Sequence, residues 1–117
     1  MNLSSWKDNI VSVIDKIGDL DFQQAVWLNG FYWHRVLSFG EAVNILEDYY
    51  FYDKVQNKSL TFENEELQLL LVSFSVSLLS YEEPNDVEKM LRDKKWLEIV
   101  EKAQKICFNS HLLILKD

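Results

Sequence analysis

Leu3, Trp6, Ile10, Val13, Ile14 and Ile17 recur every three or four residues, which predicts an amphipathic helix capped at its C-terminus by Gly18. A second helix is expected from Asp21, carrying Phe22, Val26 and Trp27 and continuing past Gly30 through Trp33 and Val36. Gly30 inside it costs about 1 kcal/mol relative to alanine and marks a break or a close approach. Ser38-Phe39-Gly40-Glu41 has the spacing of a capping box and opens a third helix with Val43, Ile45, Leu46 and Tyr50. Residues 53–59 are polar and aperiodic, so they read as a loop. Thr61 is the expected cap of a fourth helix, with Glu63, Glu65 and Glu66 at the positive end of its dipole.

Leu67, Leu70, Leu71, Phe74, Leu78 and Tyr81 keep helical spacing, whereas Ser73 to Leu78 alternate as a strand would. The cap, the acidic first turn and the length decide for helix. Pro84 stops it, Asn85 or Asp86 caps a short helix with Val87, Met90 and Leu91, and Asp93 caps the last one. In that last helix Trp96, Leu97, Val100, Ala103 and Cys107 are expected inward, with Glu98–Lys102 and Glu101–Lys105 as i,i+4 pairs outside. The expected fold is all-α, an irregular single-domain bundle of about five to six helices over residues 1–117. Its expected core includes Ile14, Trp33, Leu46, Leu71, Phe74, Leu97 and Val100.

Composition narrows the function without naming it. Gly 3 and Pro 1 argue against turn-rich β folds and phosphate-cradling loops. Aromatics reach 14%, more than a core of 117 residues has to use. A single cysteine excludes an internal disulfide. The longest apolar stretch, residues 67–79, falls short of the ~20 that a helix needs to cross a bilayer. The first residues carry no basic, then apolar, leader pattern, so a cytoplasmic protein without membrane attachment is expected.

Candidate chemistry is sparse. Cys107 and His111 stand four residues apart, but a zinc site needs further nitrogen or sulfur ligands and only His34 remains. No metal and no cofactor are expected. A Cys–His nucleophile needs an orienting third group and an oxyanion hole, and no motif marks either. Glu47-Asp48, Glu65-Glu66 and Glu82-Glu83 are paired carboxylates, yet acid–base work needs one of a pair desolvated, and adjacent acids at helix starts and loops are usually solvated. Phe31-Tyr32-Trp33-His34-Arg35, the densest aromatic cluster, reads as a central helix inserting Phe31 and Trp33 into the core. The chain is therefore expected not to be an enzyme.

Charge is more informative. Nineteen acids against twelve bases leave a net -7, which disfavours direct contact with nucleic acid. Residues 41–66 hold seven acids and two bases, and residues 67–86 three acids and no base, whereas residues 87–117 are net basic. Within the acidic part, Tyr49-Tyr50-Phe51-Tyr52 is framed by Glu47-Asp48 and Asp53, and one helix can bury only one side of that run. Solvent-facing tyrosines in an acidic rim have the character of a hot spot for a basic protein, with Glu47, Asp48, Tyr49, Tyr52, Asp53, Glu63, Glu65 and Glu66 as candidate contacts. A solvated face with the tyrosines packed on a loop is the alternative.

The size, the acidity, the aromatic-acid face and the stretch Trp33-His34-Arg35-Val36-Leu37-Ser38-Phe39-Gly40-Glu41-Ala42 resemble bacterial polymorphic-toxin immunity proteins, nearest those of contact-dependent growth inhibition. The likeness is of size, charge and style over the whole chain and implies binding of a cognate basic toxin domain. That domain would be a nuclease, with a ribonuclease of the EndoU kind favoured, whose active site the chain would block. Two other classes compete. A regulatory adaptor or homo-oligomeric helical subunit predicts self-association, and a small acid–base enzyme predicts a deep pocket around His34 or His111.

Overall fold

A computed structural model describes residues 3–29, 38–57 and 60–114. Trp33, His34, Arg35 and the expected continuation of the second helix past Gly30 lie outside the described residues. Among the described residues seven α-helices follow in order: α1 Leu3–Ile17, α2 Leu20–Phe22, α3 Phe39–Asp48, α4 Phe51–Gln56, α5 Glu65–Ser80, α6 Val87–Met90 and α7 Lys94–Phe108. A π-helical turn, Gln23–Leu28, continues α2, and a 3-10 turn, Ser110–Leu112, follows α7. The fold is all-α, and the 72–78 stretch is helical as expected.

Long α1 and α7 pack on each other, α5 packs on α7 and α4, and α3 packs on α1. One core joins them, from Trp6 and Ile14 on α1 through Leu46, Phe51 and Phe74 to Trp96, Val100 and Ile106 on α7. Gly18 serves the α1–α7 approach. A Cβ there would lie 3.2 Å from the Gln104 backbone nitrogen and 3.3 Å from the Ala103 Cβ. α1 ends at Ile17, so the helix stops at Gly18 as expected, with the Gly18 N–H donating to the Ile14 carbonyl at 3.0 Å, and the glycine's second role is this close packing.

The capping residues follow the sequence closely but not everywhere. Ser38 Oγ accepts from the Glu41 N–H at 3.1 Å, and Asp86 and Asp93 cap α6 and α7. Asp19, two residues before the expected start, caps α2. Asn64 caps α5 in place of Thr61, so only Glu65 and Glu66 stand in its first turn. In α7 the buried stripe is Trp96, Ile99, Val100, Ala103 and Ile106. Leu97 is exposed at 37%, against expectation, because one residue from Trp96 turns the helix by about 100° away from the core. Glu101 pairs with Lys105 at 3.3 Å, but the Lys102 ammonium donates instead to Ser77 Oγ at 3.0 Å.

The aromatic surplus goes mostly inward. Trp96 is fully buried, with the rings of Phe39, Tyr81 and Trp27 at centroid distances of 5.4, 5.3 and 6.1 Å. Among the described aromatics only Tyr50 and Phe108 are exposed.

Candidate functional site: an acidic elbow between two helices

The aromatic run does not lie on one helix. α3 ends at Asp48, and Tyr50 turns left-handed at φ 58°, the one described non-glycine residue with positive φ. The Tyr50 carbonyl then accepts from the Lys54 N–H at 2.9 Å and starts α4. Residues 53–56 are thus helical where a loop was expected. The break resets the helical phase, so the consecutive Phe51 and Tyr52 are both buried while Tyr50 stands 62% exposed. A bulky residue in this conformation costs on the order of 1 kcal/mol and is held by its surroundings.

Those surroundings are named residues. Trp6 Nε1 on α1 donates at 2.7 Å to the Tyr49 carbonyl, one of the acceptors that the end of α3 leaves unpaired. The Tyr52 hydroxyl folds back and donates to the Val43 carbonyl at 3.2 Å. Phe51 meets Phe74 of α5 edge-on at 6.2 Å. Burial, reinforced by nearby Glu47, pushes the Tyr52 phenol well above its usual range, so it stays neutral. Tyr52 is therefore a buttress under the elbow and not a surface contact, which corrects the expectation from sequence.

Glu47, Asp48 and Asp53 are exposed around Tyr50 in sequence, and Tyr49 is half-buried. Glu63, Glu65 and Glu66 are also exposed, at the start of α5. α4 meets α5 at Phe74 and Ser75, nine residues or about 13 Å along the helix from Glu65. The eight candidate residues thus fall into an elbow group, a separate α5 N-terminal group and the buried Tyr52. Among the described residues the ion pairs are Arg92–Glu88 and Lys105–Glu101, both in the α6–α7 part, so the acids of both groups form none. Tyr50 is the site residue that sequence reasoning passed over. Its signal was present in the two helical phases that Leu46 and Val55 require, which no single helix satisfies.

Cys107, His111 and Tyr81 line two clefts away from the α3–α4 break in sequence. Cys107 is half-buried beside the Val11 carbonyl; burial, then the charge of Asp15, pushes its thiol up to about 11. A thiol held protonated at neutral pH is a poor nucleophile. α7 ends at Phe108, so the continuous helix that would align Cys107 with His111 is interrupted. Both line a cleft of about 500 Å³ with Lys7, Asp8 and Asp15. Among the described residues no group of three His, Cys, Asp or Glu side chains is placed to hold a metal. A larger cleft, about 680 Å³, lies between α5 and α7. There the Tyr81 hydroxyl donates to Asp93 Oδ2 at 2.8 Å, and burial first, then Asp93, raises its pKa far above the usual value. All three shifted groups are pushed toward the neutral acid.

No described helix is long and apolar enough to cross a membrane. Compared with protein families, curated proteins and solved structures, the chain matches none.

Proposed function

We propose that the chain is a non-catalytic binding protein whose α3–α4 elbow engages a basic protein domain, in the manner of an immunity protein that inhibits a cognate toxin. The observation that carries this reading is Tyr50. The residue is 62% exposed on a strained backbone, flanked by exposed acids that form no ion pair among the described residues. An exposed tyrosine offers a large, rigid contact at low entropic cost, and acids around it favour a basic partner and exclude acidic ones. A nuclease is the favoured target class, because an enzyme that grips a polyanion presents a basic cleft that an acidic protein can occupy. A ribonuclease active site blocked in this way is the specific form proposed, acting in the cytoplasm.

The test is direct binding between the purified chain and a purified basic nuclease domain, a ribonuclease of the EndoU kind first, together with any toxin domain found encoded beside its gene. Wild type should bind and inhibit that domain's nuclease activity, and Tyr50→Ala should weaken binding at least ten-fold, about 1.4 kcal/mol. Wild-type affinity retained by a folded Tyr50→Ala variant would remove the elbow from the interface.

A further inference from the structure

The solvent face of α5 carries an apolar seam distinct from the elbow. Leu67, Leu71, Phe74, Ser75 and Leu78 point into the core. On the opposite side stand Leu69, Val76 and Leu79, at 67%, 50% and 51% exposure, with Val72 half-buried among them. These four positions run i, i+3, i+7, i+10, the spacing of a coiled-coil seam over about 15 Å of helix. The flanking residues Gln68, Ser73 and Ser80 are uncharged, and no charged residue occurs between Glu66 and Glu82. A solvent-facing helix ordinarily places charge on its outer side; Val72 packs partly on the core, but Leu69, Val76 and Leu79 are unexplained by folding.

The ends of the seam differ from its middle. Glu65 and Glu66 close one end, Glu82 and Glu83 the other, and all four are exposed. At the second end Lys102 donates to Ser77, and neither it nor Lys95, which lines the same cleft, forms an ion pair with Glu82. We infer that the solvent face of α5 docks one amphipathic helix of a partner protein, with apolar residues at heptad spacing and Lys or Arg at both ends. Pairing with a second copy would bring these uncompensated acid pairs together in two chains of net -7 each. A lipid surface is disfavoured by the same charge, because interfacial helices border their apolar face with Lys and Arg. The inference does not depend on the elbow, since Leu69, Val76 and Leu79 belong to another element.

A fluorescently labelled three-heptad peptide provides the probe, with leucine at the a and d positions and lysine at both ends, alongside a twin with glutamate at the ends. The full-length chain should bind the lysine peptide and prefer it over the glutamate twin by ten-fold or more at low salt. Leu69→Ser, Val76→Ser and Leu79→Ser together should reduce that binding at least ten-fold with an unchanged circular dichroism spectrum. If the triple variant unfolds, Leu69→Ser alone reports the same face with a smaller loss. No peptide binding, equal binding of the two peptides, or binding indifferent to the seam substitutions would overturn the inference. So would a wild-type dimer in sedimentation, or adsorption to phosphatidylserine vesicles, that Leu69→Ser abolishes, because each gives the face a different occupant.

Discussion

Tyr50 combines an unfavourable backbone with an exposed ring, so removing its side chain separates stability from binding. Glycine takes φ 58° without strain, and relief of that strain outweighs the entropy glycine adds to the unfolded chain. Tyr50→Gly should raise stability by a few tenths of a kcal/mol, ~0.5 at most, read as a slightly higher urea midpoint at unchanged slope, while it weakens binding to the proposed partner. A lower midpoint would mean the left-handed turn is not strained. Cys107 makes the second prediction at this scale. Its folded pKa of about 11 exceeds the ordinary 9.0, so the thiol contributes stability that is fully present below pH 9 and lost between pH 9 and 11. Alkylation of the native chain should therefore rise with a midpoint near pH 11 and shift to about 9 on denaturation. A native midpoint at or below 9 would contradict the burial assigned to it.

At the scale of elements, the joints hold more than the sequence pattern discloses. Gln23 is fully buried; its Nε2 donates to the Lys16 and Ile17 carbonyls at 2.9 and 2.8 Å, and its Oε1 accepts from Trp96 Nε1 at 2.9 Å. One amide thus closes the C-terminus of α1 and ties it to α7. Gln23→Leu would orphan the Ile17 carbonyl and the Trp96 Nε1, while the Lys16 carbonyl keeps the Asp19 N–H, and should cost about 2–4 kcal/mol in denaturant unfolding. A cost below 0.5 kcal/mol would show that other groups satisfy those carbonyls. Gly18→Ala should cost about 1–3 kcal/mol, because the added methyl meets the α7 backbone. Neither joint was legible in advance. Gln23 stands 73 residues from Trp96, and a single sequence carries no signal for such a pair. The α4 helix was hidden because Asp53, Lys54, Gln56 and Asn57 look like loop, while its buried residues Phe51, Tyr52 and Val55 fall on both sides of that boundary. Ser38, Asp86 and Asp93 were legible, because a cap is a local event decided within three residues.

Over the whole molecule, the stripes of α1, α5 and α7 predicted an all-α core, and Ile14, Leu46, Leu71, Phe74 and Val100 lie in it. The division of charge was equally readable: among the described residues, acids without ion pairs between Glu41 and Glu66, and two exposed ion pairs in the α6–α7 part, which stabilise little. What the sequence pattern could not supply was the breaking of the acidic face into the elbow and the start of α5, since that depends on where α4 crosses α5. The two groups should behave differently. On the proposed reading, Glu63, Glu65 and Glu66 should act on association rate, whereas truncation of Tyr50 should act on dissociation. The most direct measurement is a titration of the proposed partner class, a purified basic ribonuclease domain, against wild type and the folded triple variant Glu47→Lys, Asp48→Lys and Asp53→Lys, each at low and at moderate salt. Wild type should lose affinity as salt rises, and the triple variant should bind at least a hundred-fold more weakly at low salt, with a smaller salt dependence. Equal affinity of the two proteins at low salt would contradict the account and take the partner's binding site off the elbow.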